Sequence, residues 1–381
     1  MSRRSDFIKT LNHQQPENLL LDLGGCPLSS MENRSMEFLL DYLGYEKEQK
    51  YSRLPFGRVR RIDERILEYL DIDTRSVGYI LRPEKSLYNA VSEDEYIDEW
   101  GIRRVFSGMY WETVSSPLKG ATIEDLEKYE WPDPDTVSEK EIDRIVESAQ
   151  QMYEDTEWVI CGEHPVYGIF ELGCWMCGFE DFLLKMAIDS EFINRFFEIV
   201  LSYQKKIIEI YYSGIGKFIH YTSSGDDFAT QESLFFSKDM FRQFIVPYFT
   251  ERIKYTKKFT DAAFLHHSCG AVYNIIEYLI NCGVEILNPI QPKAKGMSAE
   301  QLKDGFGNSI VFHGGIDTQA LLPYGSKEEI EEEISRVISI LAEGGGYIFA
   351  AAHNIQEDVK PQNLVCMFKA ARSAYERLFA R

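Results

Sequence analysis

Ala262-Ala-Phe-Leu-His266 is followed by His267-Ser-Cys-Gly270, then by apolar Val272, Ile275, Ile276, Leu279 and Ile280, then by Gly283 and Val284-Glu-Ile-Leu-Asn288. In order, these are a short apolar run, a polar loop, a helical stripe, a glycine stop and a second apolar run. A strand–helix–strand unit reads this way, and a helical crossover makes its two strands parallel. The same alternation extends in both directions. Residues 157–161 and 217–222 are apolar runs, and the second precedes Ser223-Ser-Gly-Asp-Asp227. Ser237 caps a stripe of Phe241, Phe244, Ile245 and Tyr248. Ser298-x-x-Gln301 and Ser326-x-x-Glu329 are capping boxes on either side of the run Ile310-Val-Phe-His313. Gly344-Gly-Gly346 stops the helix that carries Ile330, Ile334, Val337, Ile338 and Leu341. Tyr347-Ile-Phe-Ala-Ala351 and a closing helix over 361–379 follow.

Seven or eight such strands, none followed by Gly-x-Gly-x-x-Gly, predict a closed barrel rather than a dinucleotide-binding sheet. The expected architecture is α/β, one domain over residues 1–381, with an N-terminal extension and first strand in 1–75. The stretch 92–119 breaks the rhythm by alternating polar and apolar residues around Gly101 and Gly108, and it reads as a β-hairpin insertion.

Composition narrows the function. Lys+Arg number 41 against 61 Asp+Glu, a net charge of −20, which argues against nucleic acid or an anionic membrane surface as partner. No apolar run has the length of roughly 18 residues needed to span a bilayer. Met1-Ser-Arg-Arg-Ser-Asp6 leads into no apolar signal core. Seven scattered cysteines fit a reducing cytoplasm, which is the expected location.

In a parallel barrel the reacting groups collect where the strands run out. The residues expected there are Glu163, the pair Asp226 and Asp227, His267, Cys269, Asp317 and His353. His267-x-Cys269 is the most specific feature. Residues i and i+2 of an extended segment point the same way, so one strand end offers an imidazole and a thiolate to one point. With His353 from another strand end, they form an N/S donor set suited to a catalytic zinc with an open position. The alternative is that Cys269 is a small buried hydrophobe and His267 a hydrogen-bonded barrel histidine. His266 should face the opposite side and pack. Cys174-x-x-Cys177 has no second C-x-x-C to complete a zinc ribbon and reads as core, as do Cys26, Cys161, Cys282 and Cys366. Asp227, Glu163 and Asp317 are candidate proton-handling groups, and Asp226-Asp227 equally suits the cap region of the next helix.

The segments His267-Ser-Cys-Gly270, Gly283-Val-Glu-Ile-Leu-Asn-Pro-Ile-Gln291, Gly314-Gly-Ile-Asp317, His353-Asn-Ile355 and Pro361-Gln-Asn-Leu364 together resemble the uroporphyrinogen decarboxylase superfamily. So do Asp6-Phe-Ile-Lys-Thr-Leu-Asn-His-Gln-Gln-Pro16 and Asp22-Leu-Gly-Gly25 near the N-terminus. The resemblance covers most of the chain and is closest to the corrinoid-dependent branch, which includes the methylcobamide:coenzyme M methyltransferases. It implies a single (β/α)8 TIM-type barrel.

Two departures from the family pattern shape the expected function. The decarboxylases carry an Arg-Gln-Ala-Gly-Arg type motif after the first strand to grip substrate carboxylates, whereas the matching Asp22-Leu-Gly-Gly-Cys-Pro27 has no arginine. The methyltransferase branch holds zinc with His-x-Cys and a later Cys, and here that later position is His353. An imidazole in place of a thiolate leaves the centre one charge more positive, which favours Lewis acidity over thiolate nucleophilicity. The resemblance therefore implies a zinc-dependent methyltransferase, with Zn2+ on His267, Cys269 and His353. Its corrinoid would be supplied by a partner protein, since this chain has no evident Asp-x-His-x-x-Gly loop. A small molecule would give or take the methyl group, Asp227 and Glu163 would serve as fourth ligand or proton carriers, and a homodimer is compatible. The alternatives are a decarboxylase-like lyase on a small acid and a non-catalytic barrel that only binds.

Overall fold

The computed structural model describes residues 2–47, 62–78, 81–108 and 110–379, and in it the apolar runs pair side by side. In chain order the strands are β1 (Leu20–Leu21), β2 (Thr74–Ser76), β3 (Asn89–Ser92), β4 (Glu95–Ile97), β5 (Arg103–Phe106), β6 (Trp111–Ser115), β7 (Val159–Glu163), β8 (Tyr221–Gly225), β9 (Ala263–His267), β10 (Ile286–Ile290), β11 (Val311–Ile316) and β12 (Tyr347–Ala351). Eight of them form one parallel sheet in the order β1-β12-β11-β10-β9-β8-β7-β2. Asp73 bridges the seam between the first and last of these: its amide donates to the Leu21 carbonyl at 3.0 Å, and its carboxylate accepts from the Leu21 amide at 2.7 Å. The sheet is thus a nearly closed (β/α)8 barrel, as the alternation predicts.

Several strands begin one to four residues later than the apolar runs suggest, and before β8 and β10 the preceding helix end takes the first residues. Val284 donates to the Leu279 carbonyl at 3.1 Å, closing the helix that stops at Gly283, so β10 starts at Ile286. Phe218 likewise donates to Ile215, and β8 starts at Tyr221. In consequence Glu163 and His267 are the last residues of their strands rather than loop residues.

The expected hairpin at 92–119 is a four-stranded antiparallel sheet, β3-β4-β5-β6, running from Asn89 to Ser115. The turn between β4 and β5, around Gly101, is held by Asp98, whose carboxylate accepts from the amides of Trp100 and Ile102 at 3.0 and 2.9 Å. All four residues of β3, Asn89-Ala-Val-Ser92, are exposed, so no alternation of buried and exposed residues marks it.

Side chains alternate in and out of the barrel with period two. Leu20, Val159, Tyr221, Leu265, Ile286, Val311 and Ile348 share one buried interior cluster, joined by Phe7 of the N-terminal helix Arg3–Leu11. Two residues further along four of these strands lie Asp22, His267, Asn288 and His313, all buried. An apolar layer is thereby overlaid by a polar one toward the strand ends. The outward residues pack against the helices, including the long helix Ser190–Ile215 with its buried Phe192, Phe196 and Phe197. Each aromatic side chain fully buried there contributes about 1.5–3 kcal/mol. His266 points outward, stacked on Phe228 with ring centroids 5.7 Å apart. No helix among the described residues is long and apolar enough to cross a membrane.

Candidate metal centre

His267 ends β9, Cys269 follows it by two residues, and His353 follows β12. One donor atom from each lies within 4.8 Å of the others. Cys269 Sγ is 3.4 Å from His267 Nε2, and the two imidazole rings stand 5.7 Å apart, centroid to centroid. The turn that presents Cys269 is pinned by Asp227, whose carboxylate accepts from the Cys269 amide at 2.7 Å, and by Gln291, which accepts from the Gly270 amide at 2.7 Å. Gly270 adopts φ +88°, and a Cβ there would lie 2.4 Å from the Thr230 carbonyl oxygen, so the turn requires glycine.

The acidic pair after β8 divides its roles. Asp226 turns inward and accepts from the amides of Phe170 and Glu171 at 3.0 and 2.8 Å, holding the N-terminus of the helix Ile169–Cys177. Burial pushes its carboxyl up to about 7. Asp227 faces the trio, with Oδ1 3.8 Å from His267 Nε2. Glu171, a site residue that sequence reasoning missed, comes with it: burial first, then the charges of Asp227 and Asp226, push its carboxyl well above the ordinary range. The signal was weak, because Phe170-Glu171-Leu172 reads as part of an apolar helix. Burial, then Asp227 and Glu171, also raise the Cys269 thiol.

Glu163 ends β7 and is not one of the grouped donors, and burial pushes its carboxyl up to about 8. Asp317 is not brought to the trio either. Its carboxylate accepts from the amides of Gln319, Ala320 and Leu321 at 3.0–3.1 Å and from Lys293 Nζ at 3.0 Å. Together these bonds outweigh burial and hold it below the usual carboxylate range. Cys174 and Cys177 are buried in the helix Ile169–Cys177, where burial raises both thiols, Cys177 to about 12.

The donor set suits a divalent ion of zinc type: two imidazole nitrogens and one thiol sulfur converge, with carboxylates beside them to balance charge. A thiol pushed up by burial and by neighbouring anions is one that a cation would convert to thiolate. Among the described residues these three form the one such grouping of His, Cys, Asp or Glu side chains.

A family model described as "Uroporphyrinogen decarboxylase (URO-D)" matches residues 113–374. The uroporphyrinogen decarboxylase of Vesicomyosocius okutanii is 36% identical over 64 residues, which are 17% of this chain and 18% of that protein. That of Photorhabdus laumondii is 33% identical over 57 residues, 15% of this chain and 16% of that protein. The matched parts thus span less than a fifth of the length of these curated relatives. A solved structure of a methyltransferase from Methanosarcina mazei aligns over 98% of this chain and 99% of its own, with TM-score 0.63 and 16% identity. That likeness shows a shared fold.

Proposed function

Since the chain belongs to the uroporphyrinogen decarboxylase (URO-D) family, we propose that it is a zinc-dependent methyltransferase exchanging a methyl group between a small molecule and a separate corrinoid protein. The observation that carries this reading is the convergence of His267, Cys269 and His353 within 4.8 Å at the mouth of the barrel. A decarboxylase acting without metal has no use for such a donor set. The fold shared with the Methanosarcina mazei methyltransferase supports the same reading.

Zinc held by the trio would supply Lewis acidity to a substrate atom in its open position. The chain's own residues do the rest. Cys269 and the two histidines fix where that atom sits. Asp227 holds the Cys269 turn by its backbone. Glu163, pushed up to about 8, holds a proton at neutral pH, and Glu171, raised in the same direction beside Asp227, is assigned as proton donor to a departing oxygen or nitrogen. With His353 in place of a thiolate, the centre favours polarising a leaving group over activating a thiol acceptor.

Elemental analysis of the purified protein, together with a demethylation assay on a methylated corrinoid, tests the proposal. About one zinc per chain and zinc-dependent methyl exchange are expected. Metal-free protein that retains full activity would remove the mechanism. Turnover of a small carboxylic acid with release of carbon dioxide would favour the lyase reading, which the names of the partial curated matches keep in view.

A further inference from the structure

A continuous line of buried hydrogen bonds runs from β1 to the candidate metal centre. Asp22 Oδ2 is 2.7 Å from His313 Nε2, His313 Nδ1 is 2.5 Å from Asn288 Nδ2, and Asn288 Oδ1 is 2.5 Å from His267 Nδ1. Beyond the ring, His267 Nε2 faces Cys269 Sγ at 3.4 Å. We infer that Asp22, Asn288 and His313 are positioning residues that hold His267 in the tautomer with its proton on Nδ1 and its Nε2 lone pair turned toward Cys269 and His353.

The direction of every bond follows from the end of the line. Asp22 already accepts from the Thr74 hydroxyl and, at 2.9 Å, from the Gly25 amide. These bonds and the one from His313 outweigh burial and hold its carboxyl below the ordinary range, so it can only accept. A single ring proton on His313 must then sit on Nε2, which leaves Nδ1 as an acceptor. Asn288 must turn its NH2 to that acceptor and its oxygen to His267. That oxygen can only accept, so His267 Nδ1 must donate and Nε2 is left bare.

The line is closed off from bulk solvent. The exposures of Asp22, Asn288, His313 and His267 are 1%, 1%, 0% and 5%. Buried polar groups without partners are costly, so each bond constrains the next. The turn after β1 is built close against the line: a Cβ on Gly25 would lie 2.4 Å from Asp22 Oδ1 and 2.7 Å from Thr74 Oγ1. The placement is also systematic. Asp22, His267, Asn288 and His313 each stand two residues beyond an interior apolar residue, on β1, β9, β10 and β11 or just past their ends. A metal-bound histidine is ordinarily oriented by a partner on its other nitrogen, and loss of that partner typically costs about 10–100-fold in metal affinity. The link to metal affinity rests on the zinc reading; the tautomer does not.

Nitrogen NMR of metal-free protein labelled at histidine, assigned with H267Q and H313Q, reads the tautomers directly. His267 should show a protonated Nδ1 and a bare Nε2, and His313 a single proton on Nε2. N288D replaces the NH2 donor by a carboxyl group, so the His313 ring spectrum should depart from that of the wild type. N288A should give His267 a mixed tautomer spectrum and weaken zinc by about 10–100-fold in a chelator competition. A bare Nδ1 on His267 in the wild type overturns the inference. So do N288A and N288D proteins that keep wild-type ring spectra and zinc affinity. Should a variant fail to fold, the wild-type spectrum still decides the tautomer. Wild-type protein with the expected spectra but no zinc affinity would sink the zinc proposal and leave the positioning role standing.

Discussion

Cys269 is the residue on which the proposed chemistry turns. Its thiol is raised by burial, then by Asp227 and Glu171, and a bound cation would favour the thiolate there. C269S should lose zinc strongly, since a hydroxyl is a far poorer ligand than a thiolate, and a chelator titration will read that loss. Metal removal from the wild type should be promoted by acid, because bound thiolate must be protonated to leave. H353C tests the opposite change. It should keep the metal, lower the charge of the centre by one, and raise methyl transfer to a thiol acceptor relative to wild type; unchanged thiol transfer would mean that His353 does not tune the centre. The trio was legible in the sequence because His-x-Cys at a strand end needs only the two-residue periodicity of extended chain. Asn288 and His313 were not singled out, since each lies inside an otherwise apolar run and reads as strand. Their shared position, two residues past an interior Ile286 or Val311, is the signal that would have found them.

At the scale of elements, the ends of the strands carry the site and were the least legible feature. Apolar composition marks where a strand can lie, whereas pairing decides where it stops. Glu163 illustrates the difference: it is the last residue of β7, paired with Ser223 of β8, rather than the start of a loop. That position partly removes the carboxyl from water and pushes it up to about 8. The unfolded chain would return it to the ordinary Glu range near 4.3. A folded-state value above the unfolded one means that the native state binds the proton more tightly. Stability from this group is therefore fully present below the unfolded value and is lost as pH rises toward 8. Urea unfolding between pH 5 and 8 should show wild type losing stability with pH, by at most about 1.4 kcal/mol per unit. E163Q, neutral throughout, should lack that component. Equal slopes in the two proteins would place the Glu163 carboxylate in water and remove it as a proton carrier.

The whole molecule sets what the barrel mouth can admit. The chain carries −20, and the Asp227 carboxylate stands beside the trio, 3.8 Å from His267 Nε2. A bound zinc would neutralise part of that local charge, whereas a substrate bearing many carboxylates would add to it. Gripping such a substrate needs arginine forks, bidentate and permanently charged. The turn after β1 has none: Asp22 bonds Thr74 and His313, and Gly25 packs against them. Elsewhere Arg75 is paired with Glu64 and Arg104 with Asp98. The barrel thus keeps the family's frame while the first strand end, where carboxylates would be held, is given over to a buried line of hydrogen bonds. Incubation with uroporphyrinogen should accordingly yield no decarboxylated porphyrinogen by chromatography, under conditions where the same preparation exchanges methyl groups with a methylated corrinoid. Decarboxylation at rates typical of enzymes, about 1 s⁻¹ or faster, would show that carboxylates can be held without those arginines, and the methyltransferase reading would have to be abandoned.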